Sequence, residues 1–226
     1  MKPLPTGTIR SNIATWAVPA QHLPAVAHFL HDVLPNEVYD PHFRGQVLRT
    51  TYFDTSNFDL RKARQAAGRY LTLRLRCYQP PEGEQEVYAL SAKTEQEKWR
   101  QEISADLAEQ IASGWLLDWP AQVLPGPLVD RLQELIVPNG GTADLAGVLV
   151  GVVTVCCRRY AVEDDQDRFT LDTEVNTDTG LALPFAVLEF KSTDAEAIVP
   201  QAGALDPIRL RPVKLSKFLW ATSAGK

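Results

Sequence analysis

The sequence predicts an α+β domain built on a large antiparallel sheet or barrel, and three observations carry that expectation. Short segments alternating between apolar and polar residues recur along the 226 residues, seven or eight in all. Helical spacing appears in a few places, inserted between groups of strands rather than after every strand. No repeat, low-complexity tract or long linker interrupts the pattern, so residues 1–226 read as a single domain.

The elements follow in order. Residues 9 to 18 read as an opening strand ended by Pro19, and Ala20 to Leu34 as a helix closed by Pro35. In that helix Leu23, Val26, Ala27, Leu30 and Leu34 share one face. Val47 to Asp54 is β-rich and Tyr70 to Tyr78 alternates cleanly. After the turn signal PPEGE, Val87 to Lys93 pairs with Lys98 to Ile103 as a hairpin. Ser104 is a candidate N-cap for a helix through Ala112 with Gly114 just past its end, and a second helix spans Pro127 to Ile136. Val148 to Val162 and Arg168 to Val175 flank the acidic EDDQD loop, and Ala186 to Lys191 is a further strand. Lys214 to Ala221 reads as a strand end or a helix.

Composition is that of a globular chain, with 45% hydrophobic and 23% charged residues. The longest apolar run, Leu145 to Cys157, falls short of the roughly 20 residues a membrane span needs. The first residues lack the apolar core of a signal peptide. Cys77, Cys156 and Cys157 match neither a disulfide framework nor a zinc spacing and read as small buried residues. The expectation is a soluble cytoplasmic protein. Net charge is −5, yet the signs are segregated: Arg61, Lys62, Arg64, Arg69, Arg74 and Arg76 lie in a stretch without acids, while acids gather at Glu82–Glu86 and Glu163–Asp167. Such segregation points to a local positive field. Arg61, Lys62 and Arg64 read as a solvated face, with steering of polyanions as the alternative.

The alternation itself carries charge. In YLTLRLRCY, Leu71, Leu73 and Leu75 share one face and Thr72, Arg74 and Arg76 the other. Val187, Glu189 and Lys191 share a side in AVLEFKS, as do Arg168, Thr170, Asp172 and Glu174 in DRFTLDTEV. Lys93 ends one strand, and Lys98 and Arg100 alternate around Trp99. Two arrangements remain open on the residues alone: a sheet with a charged outer surface, or a barrel with a charged lumen. A cationic lumen needs counter-charge, and phosphate suits guanidinium forks and lysine point charges.

The succession YFDT (Tyr52 to Thr55), RLRCY (Arg74 to Tyr78), KTEQEKWR (Lys93 to Arg100), RFTLDTEV (Arg168 to Val175), VLEFK (Val187 to Lys191) and KLSKF (Lys214 to Phe218) resembles the VTC domain. That is the polyphosphate polymerase branch of the triphosphate tunnel metalloenzyme superfamily, relatives of the CYTH proteins. The resemblance covers about residue 47 to 221. It implies an antiparallel eight-stranded β-barrel tunnel with helices packed outside, and transfer of the γ-phosphate of ATP onto polyphosphate with Mn²⁺ or Mg²⁺. It further implies that Arg74, Arg76, Lys93, Lys98, Arg158 (or Arg159) and Arg168 hold phosphates, that Glu189 binds the metal, and that Lys214, Ser216 and Lys217 form the closing basic cluster. ATP and pyrophosphate or polyphosphate are the implied partners, together with a separate membrane protein that would recruit the chain.

Two positions depart from the pattern: Thr15 stands where the family carries a lysine, and Ser91 where a glutamate is typical. They leave a tunnel triphosphatase, or a silent polyphosphate-binding module, as rivals to the polymerase. No Walker A, HEXXH or Ser-His-Asp pattern competes. His22, His28, His31 and His42 lie in or near the first helix and read as surface or packing. Trp99, Trp115, Trp119 and Trp220 read as packing between helices and barrel. Without an aromatic platform beside the basic residues, nucleic acid is not the expected ligand.

Overall fold

The computed structural model describes residues 12–33, 45–67, 70–79, 85–96, 98–114, 118–141, 143–145, 147–163, 167–194, 205 and 208–223. The expected turn at residues 80–84, the start of the first strand, and Leu34 with Pro35 lie outside them. Among the described residues, nine strands form one sheet: β1 (Asn12–Val18), β2 (Gln46–Thr55), β3 (Thr72–Gln79), β4 (Val87–Lys93), β5 (Lys98–Ile103), β6 (Leu149–Glu163), β7 (Asp167–Thr177), β8 (Ala186–Ser192) and β9 (Arg211–Pro212). Their order is β5-β4-β3-β2-β6-β7-β8-β1-β9, and every neighbouring pair is antiparallel.

In a flat sheet, β4 and β8 would lie roughly 24 Å apart, five spacings of about 4.8 Å. Yet Lys93 on β4 feels the charge of Glu189 on β8, and Lys98 on β5 feels Lys191 on β8. The sheet is therefore curled into a trough. Among the described residues the sheet has nine strands and is not closed, in place of the expected eight-stranded barrel. The physical reason is the edge: β9 contributes two residues, too few to carry a closing ladder to β5.

Helices cover the outer side. Behind β2, β3 and β4 pack α2 (Asp59–Ala67), α3 (Ala105–Ser113), α4 (Trp119–Val123) and α5 (Gly126–Ile136). Their apolar stripes bury Leu60, Ile111, Leu128, Leu132 and Ile136 against Phe53, Leu73, Leu75 and Leu90. Ser104 caps α3, its side chain accepting from Leu107 N–H, and Gly114 ends it at φ 72°, a left-handed conformation that costs glycine little. The alternation in β3 thus aims its leucines outward at this layer. On the other half, a turn of 3-10 helix (Ala20–His22) leads into α1 (Leu23–Val33), which buries Val26 and Leu30 over Trp16, Phe169, Leu188 and Phe190. The Phe169 and Phe190 rings stack at 4.4 Å.

α2 is an element that composition hides, because RKARQAA lacks an apolar run. It is nucleated by the end of β2 instead. The fully buried Asp54 carboxylate accepts from Thr55, Leu60 and Arg61 N–H, and Thr55 Oγ1 accepts from Asp59 N–H while donating to Asp59 Oδ2. The last helix, α6 (Lys217–Ser223), lies on the inner side. Phe218 and Ala221 pack with Leu48, Tyr52, Val153, Val155, Cys157 and Val187, filling one part of the trough with apolar side chains. Arg61 Nη1 donates to the carbonyl of Thr222 (2.5 Å), tying α6 to α2. Arg64 reaches Thr72 Oγ1 (3.3 Å) and lies over the Tyr70 ring, so Arg61 and Arg64 have structural partners, while the exposed Lys62 reaches the buried Asp59 at 3.7 Å. Trp119 is buried against Phe53, Trp99 and Trp220 pack partly buried, and Trp115 lies outside the described residues.

Candidate functional site

Residues directly opposite one another on paired strands share a face of the sheet. Arg74 on β3 faces Ser91 on β4 and Tyr52 on β2, and Ser91 faces Arg100 on β5. Thr72 faces Lys93, which faces Lys98, and Arg76 faces Ala89. On the other wall Arg159 on β6 faces Asp172 on β7, Thr170 faces Glu189 on β8, and Arg168 faces Lys191. Thr15 on β1 stands opposite Glu189. Since the leucines of β3 point outward to the helices, all of these side chains belong to the inner side.

The two walls differ in charge. On β6–β8 the cations have acids to meet. Asp172 receives Arg159 in a fork, Nε to Oδ1 at 2.6 Å and Nη2 to Oδ2 at 2.7 Å, and Lys217 donates to the same Oδ2. Burial opposes ionisation of Asp172, but Arg159 and Lys217 hold its carboxyl far below the usual range. Glu189 Oε1 meets Lys191 Nζ at 2.6 Å. Burial pushes Glu189 up, and the charges of Lys191, Lys217 and Arg159 outweigh it, leaving it at about 2. Arg168 reaches Glu163 at 3.0 Å.

The β3–β5 wall carries Arg74, Arg76, Lys93, Lys98 and Arg100. The crowding of cations lowers their hold on their protons. Burial, then Arg76, lowers Arg74 to about 10. Burial, then Arg74, lowers Lys93. Lys98 is exposed on the edge strand β5, yet partial desolvation and the charges of Arg74, Arg76, Lys191 and Arg100 bring it to about 7. Arg74 Nε donates to Ser91 Oγ (3.0 Å), Arg76 Nη1 to Tyr78 OH (3.5 Å), and Arg100 lies over the Tyr78 ring at 4.9 Å. Buried atoms without a hydrogen-bond partner among the described residues include Arg76 Nε, Arg100 Nε, Arg168 Nε and Thr170 Oγ1, all on this inner side. Such donors normally find partners, and a cluster of them can receive the oxygens of an anion.

Of the residues singled out in the sequence, the curl brings together Arg74, Arg76, Lys93, Lys98, Arg168, Glu189 and Lys217. Arg158 is corrected. It pairs in register with Val47 and Thr173 on the outer side and meets Glu174 at 3.7 Å, while Arg159 takes the inner position. Lys214 is exposed beside Val213, whose N–H donates to the Thr15 carbonyl. Ser216 sits just before α6, its hydroxyl accepting from Leu219 N–H at 3.4 Å. Thr15 and Ser91 both occupy inner positions. Asp172, Arg100 and Tyr78 are the inner residues that sequence reasoning did not choose, and Arg159 is the alternative it left open. Asp172 and Arg100 were visible as the alternating partners of Arg168 and Lys98. His22 and His28 lie at α1, outside the trough, and the side chains of His31 and His42 are outside the described residues. Cys77 and Cys157 are buried free thiols and Cys156 is half-buried.

The tunnel resemblance implies a divalent cation, and the donors fit one only together with phosphate. Among the described residues no group of three or more His, Cys, Asp or Glu converges. Both oxygens of Asp172 are taken by Arg159 and Lys217, and Glu163 meets Arg168. Glu189, held through Oε1 by Lys191, is the inner carboxylate whose charge reaches Lys93 on the other wall. Mg²⁺ commonly uses one or two carboxylates with substrate phosphates and waters. Glu189, ionised throughout the neutral range, would hold such an ion, which would supply further neutralisation of phosphate charge.

No family model matches the chain, and no curated protein does. Solved structures do. A candidate adenylate cyclase from Bacillus halodurans superposes with a TM-score of 0.61 at 19% identity, covering 92% of this chain and 93% of that one. HpAC1 of Hippeastrum, a candidate adenylyl cyclase described by a dominant triphosphatase activity, gives 0.54 at 18%, covering 95% and 96%. The PH1819 protein of Pyrococcus horikoshii gives 0.54 at 14%, covering 95% and 99%. The chain shares their fold.

Proposed function

We propose that the trough binds a linear phosphate chain and transfers the γ-phosphoryl group of ATP onto the end of polyphosphate. The observation that carries this is the set of unpartnered buried donors, Arg76 Nε, Arg100 Nε, Arg168 Nε and Thr170 Oγ1, on the inner side of a cationic sheet. Several guanidiniums and two lysines on one wall exceed any internal need for charge, and each remains costly until an anion arrives. A phosphate chain offers charge at close repeats and fork-compatible oxygens. Arg74, Arg76, Lys93, Lys98, Arg100 and Arg168 would neutralise and orient it, and Glu189 would face the divalent cation. Phosphoryl transfer through a loose transition state asks mainly for positioning and charge neutralisation.

Transfer to phosphate asks less of the site than transfer to water, which needs a proton acceptor. No described histidine lies in the trough, and Glu189, at about 2, is a poor acceptor. Lys98, at about 7, is therefore the inner group that would serve a hydrolase. An acceptor phosphate is already anionic and needs no base. Hydrolysis of a triphosphate is the second reading, favoured by the fold shared with the Hippeastrum protein. By the resemblance, the proposal extends to a separate membrane partner that receives the chain. No helix among the described residues is long and apolar enough to cross a membrane.

Incubating the protein with ATP, Mn²⁺ or Mg²⁺ and a pyrophosphate primer, then resolving products on a polyphosphate gel, tests the proposal. A ladder lost in Glu189→Gln and Arg74→Ala supports transfer. Orthophosphate alone moves the assignment to hydrolysis, and tripolyphosphate binding without product to a binding module. A ladder that survives both substitutions contradicts the site.

A further inference from the structure

We infer that the Tyr78 hydroxyl is a further ligand-binding group of the trough, donating its proton to an oxygen of the bound phosphate chain. This rests on the reading of the trough as a phosphate-chain site. Tyr78 closes the inward alternation of β3, two residues beyond Arg76. Arg100 covers its ring at 4.9 Å, and its oxygen accepts from Arg76 Nη1 at 3.5 Å. The charges of Arg74 and Arg168 also bear on it.

Every one of those neighbours is a guanidinium, and a guanidinium only donates. A phenol has one proton to give as well as lone pairs to fill. Arg76 fills a lone pair, and no hydrogen bond among the described residues takes the proton. Of the inner acids, Asp172 meets Arg159 and Lys217, Glu189 meets Lys191 and Glu163 meets Arg168. Glu102, opposite Ala89 on the edge strand, makes no hydrogen bond to Tyr78. The acceptor is therefore solvent or a ligand oxygen, and an anionic oxygen is the kind that four arginines would draw there. Burial raises the Tyr78 hydroxyl, but Arg76 and Arg100 outweigh it and bring it below the ordinary tyrosine value, which makes it a stronger donor. Tyr88 shows the opposite case on the outer side of β4. Its proton goes to Glu86 at 2.5 Å, a partner the protein supplies, and its hydroxyl is pushed up to about 12, chiefly by that hydrogen bond.

Isothermal calorimetry of tripolyphosphate binding to the wild type, Tyr78→Phe and Tyr88→Phe tests this. Phenylalanine keeps the ring beneath Arg100 and removes only the hydroxyl. Binding to Tyr78→Phe should weaken about ten- to hundredfold, the range for a hydrogen bond to a charged group, while Tyr88→Phe binds as wild type. In wild type, an alkaline absorbance titration should show one tyrosine ionising at higher pH when tripolyphosphate is present. Equal binding by Tyr78→Phe overturns the inference while leaving the phosphate-chain site standing. Failure of the wild type to bind tripolyphosphate overturns both. Should Tyr78→Phe fold poorly, the wild-type titration decides alone, and the absence of a ligand-dependent shift sinks the inference.

Discussion

Replacing Asp172 by Asn should lower stability and raise anion affinity at the same time, two effects of opposite sign from one lost charge. Asp172 is 1% exposed and holds two cations, the forked Arg159 and the Lys217 of α6. Removing the acid leaves both cations facing each other in a buried place. Breaking a buried pair in this way costs about 3–5 kcal/mol. For a domain of this size, each kcal/mol moves the midpoint by about 2–4 °C, so thermal unfolding should fall by roughly 6–20 °C. α6 loses its ionic tether and keeps its apolar one through Phe218 and Ala221. Meanwhile the trough gains one unit of uncompensated positive charge. At about 8 Å and an effective dielectric near 20, each ligand charge gains about 2 kcal/mol, before screening by salt. Calorimetric unfolding and tripolyphosphate titration at low and high salt measure the two effects, and the affinity gain should shrink at high salt. An unchanged midpoint would show that Asp172 is not a buried counter-ion. A fall in anion affinity would show that Arg159 and Lys217 must be held by Asp172 to bind at all, which would refute the reasoning from net charge.

Three other outcomes are expected. Lys98 falls from the ordinary 10.5 to about 7, so the folded state binds its proton less readily than the unfolded chain, and stability should decline as pH falls from about 10.5 toward 7. Anion binding favours protonated Lys98, so calorimetry near pH 7 in buffers of different ionisation enthalpy should register proton uptake, which Lys98→Met abolishes. Asp54 rises from 3.8 to about 6, chiefly by burial, so its contribution to stability is full below about pH 4 and lost as pH rises through 6. Asp54→Asn should flatten that window in a pH series of thermal melts and, as a lost cap of α2, cost about 0.5–2 kcal/mol. Ser104→Ala removes the Leu107 N–H partner at the start of α3 and should cost a similar amount in urea unfolding, with no change in tripolyphosphate affinity.

The strands were legible because a period of two survives in single segments. The β3 leucines, the arginines between them, and the Glu189–Lys191 pair declare their faces without any tertiary information. The caps at Ser104 and Gly114 were legible for the same local reason. α2 was not, since its start is set by the Asp54 carboxylate at the end of the preceding strand, and its weakly apolar stripe says little. Arg158 and Arg159 could not be told apart, because VVTVCCRRY is apolar on both sides and offers no parity. The pairing of Leu48 with Cys157 and of Gln46 with Arg159 supplies it.

Sequence alone, then, determined which residues share a face within an unbroken strand. At Glu174 in β7 (φ 53°) the expected parity breaks, and Glu174 leaves the Asp172 face to meet the outer Arg158. Tertiary structure decided which faces meet. The curl that sets Lys98 against Lys191, the Asp172 counter-ion between Arg159 and Lys217, and the open edge beyond the two-residue β9 depend on contacts between strands far apart in the chain. Charges distant along the chain act on one another only after the sheet has brought them within a few ångströms, and that distance is written in no single segment.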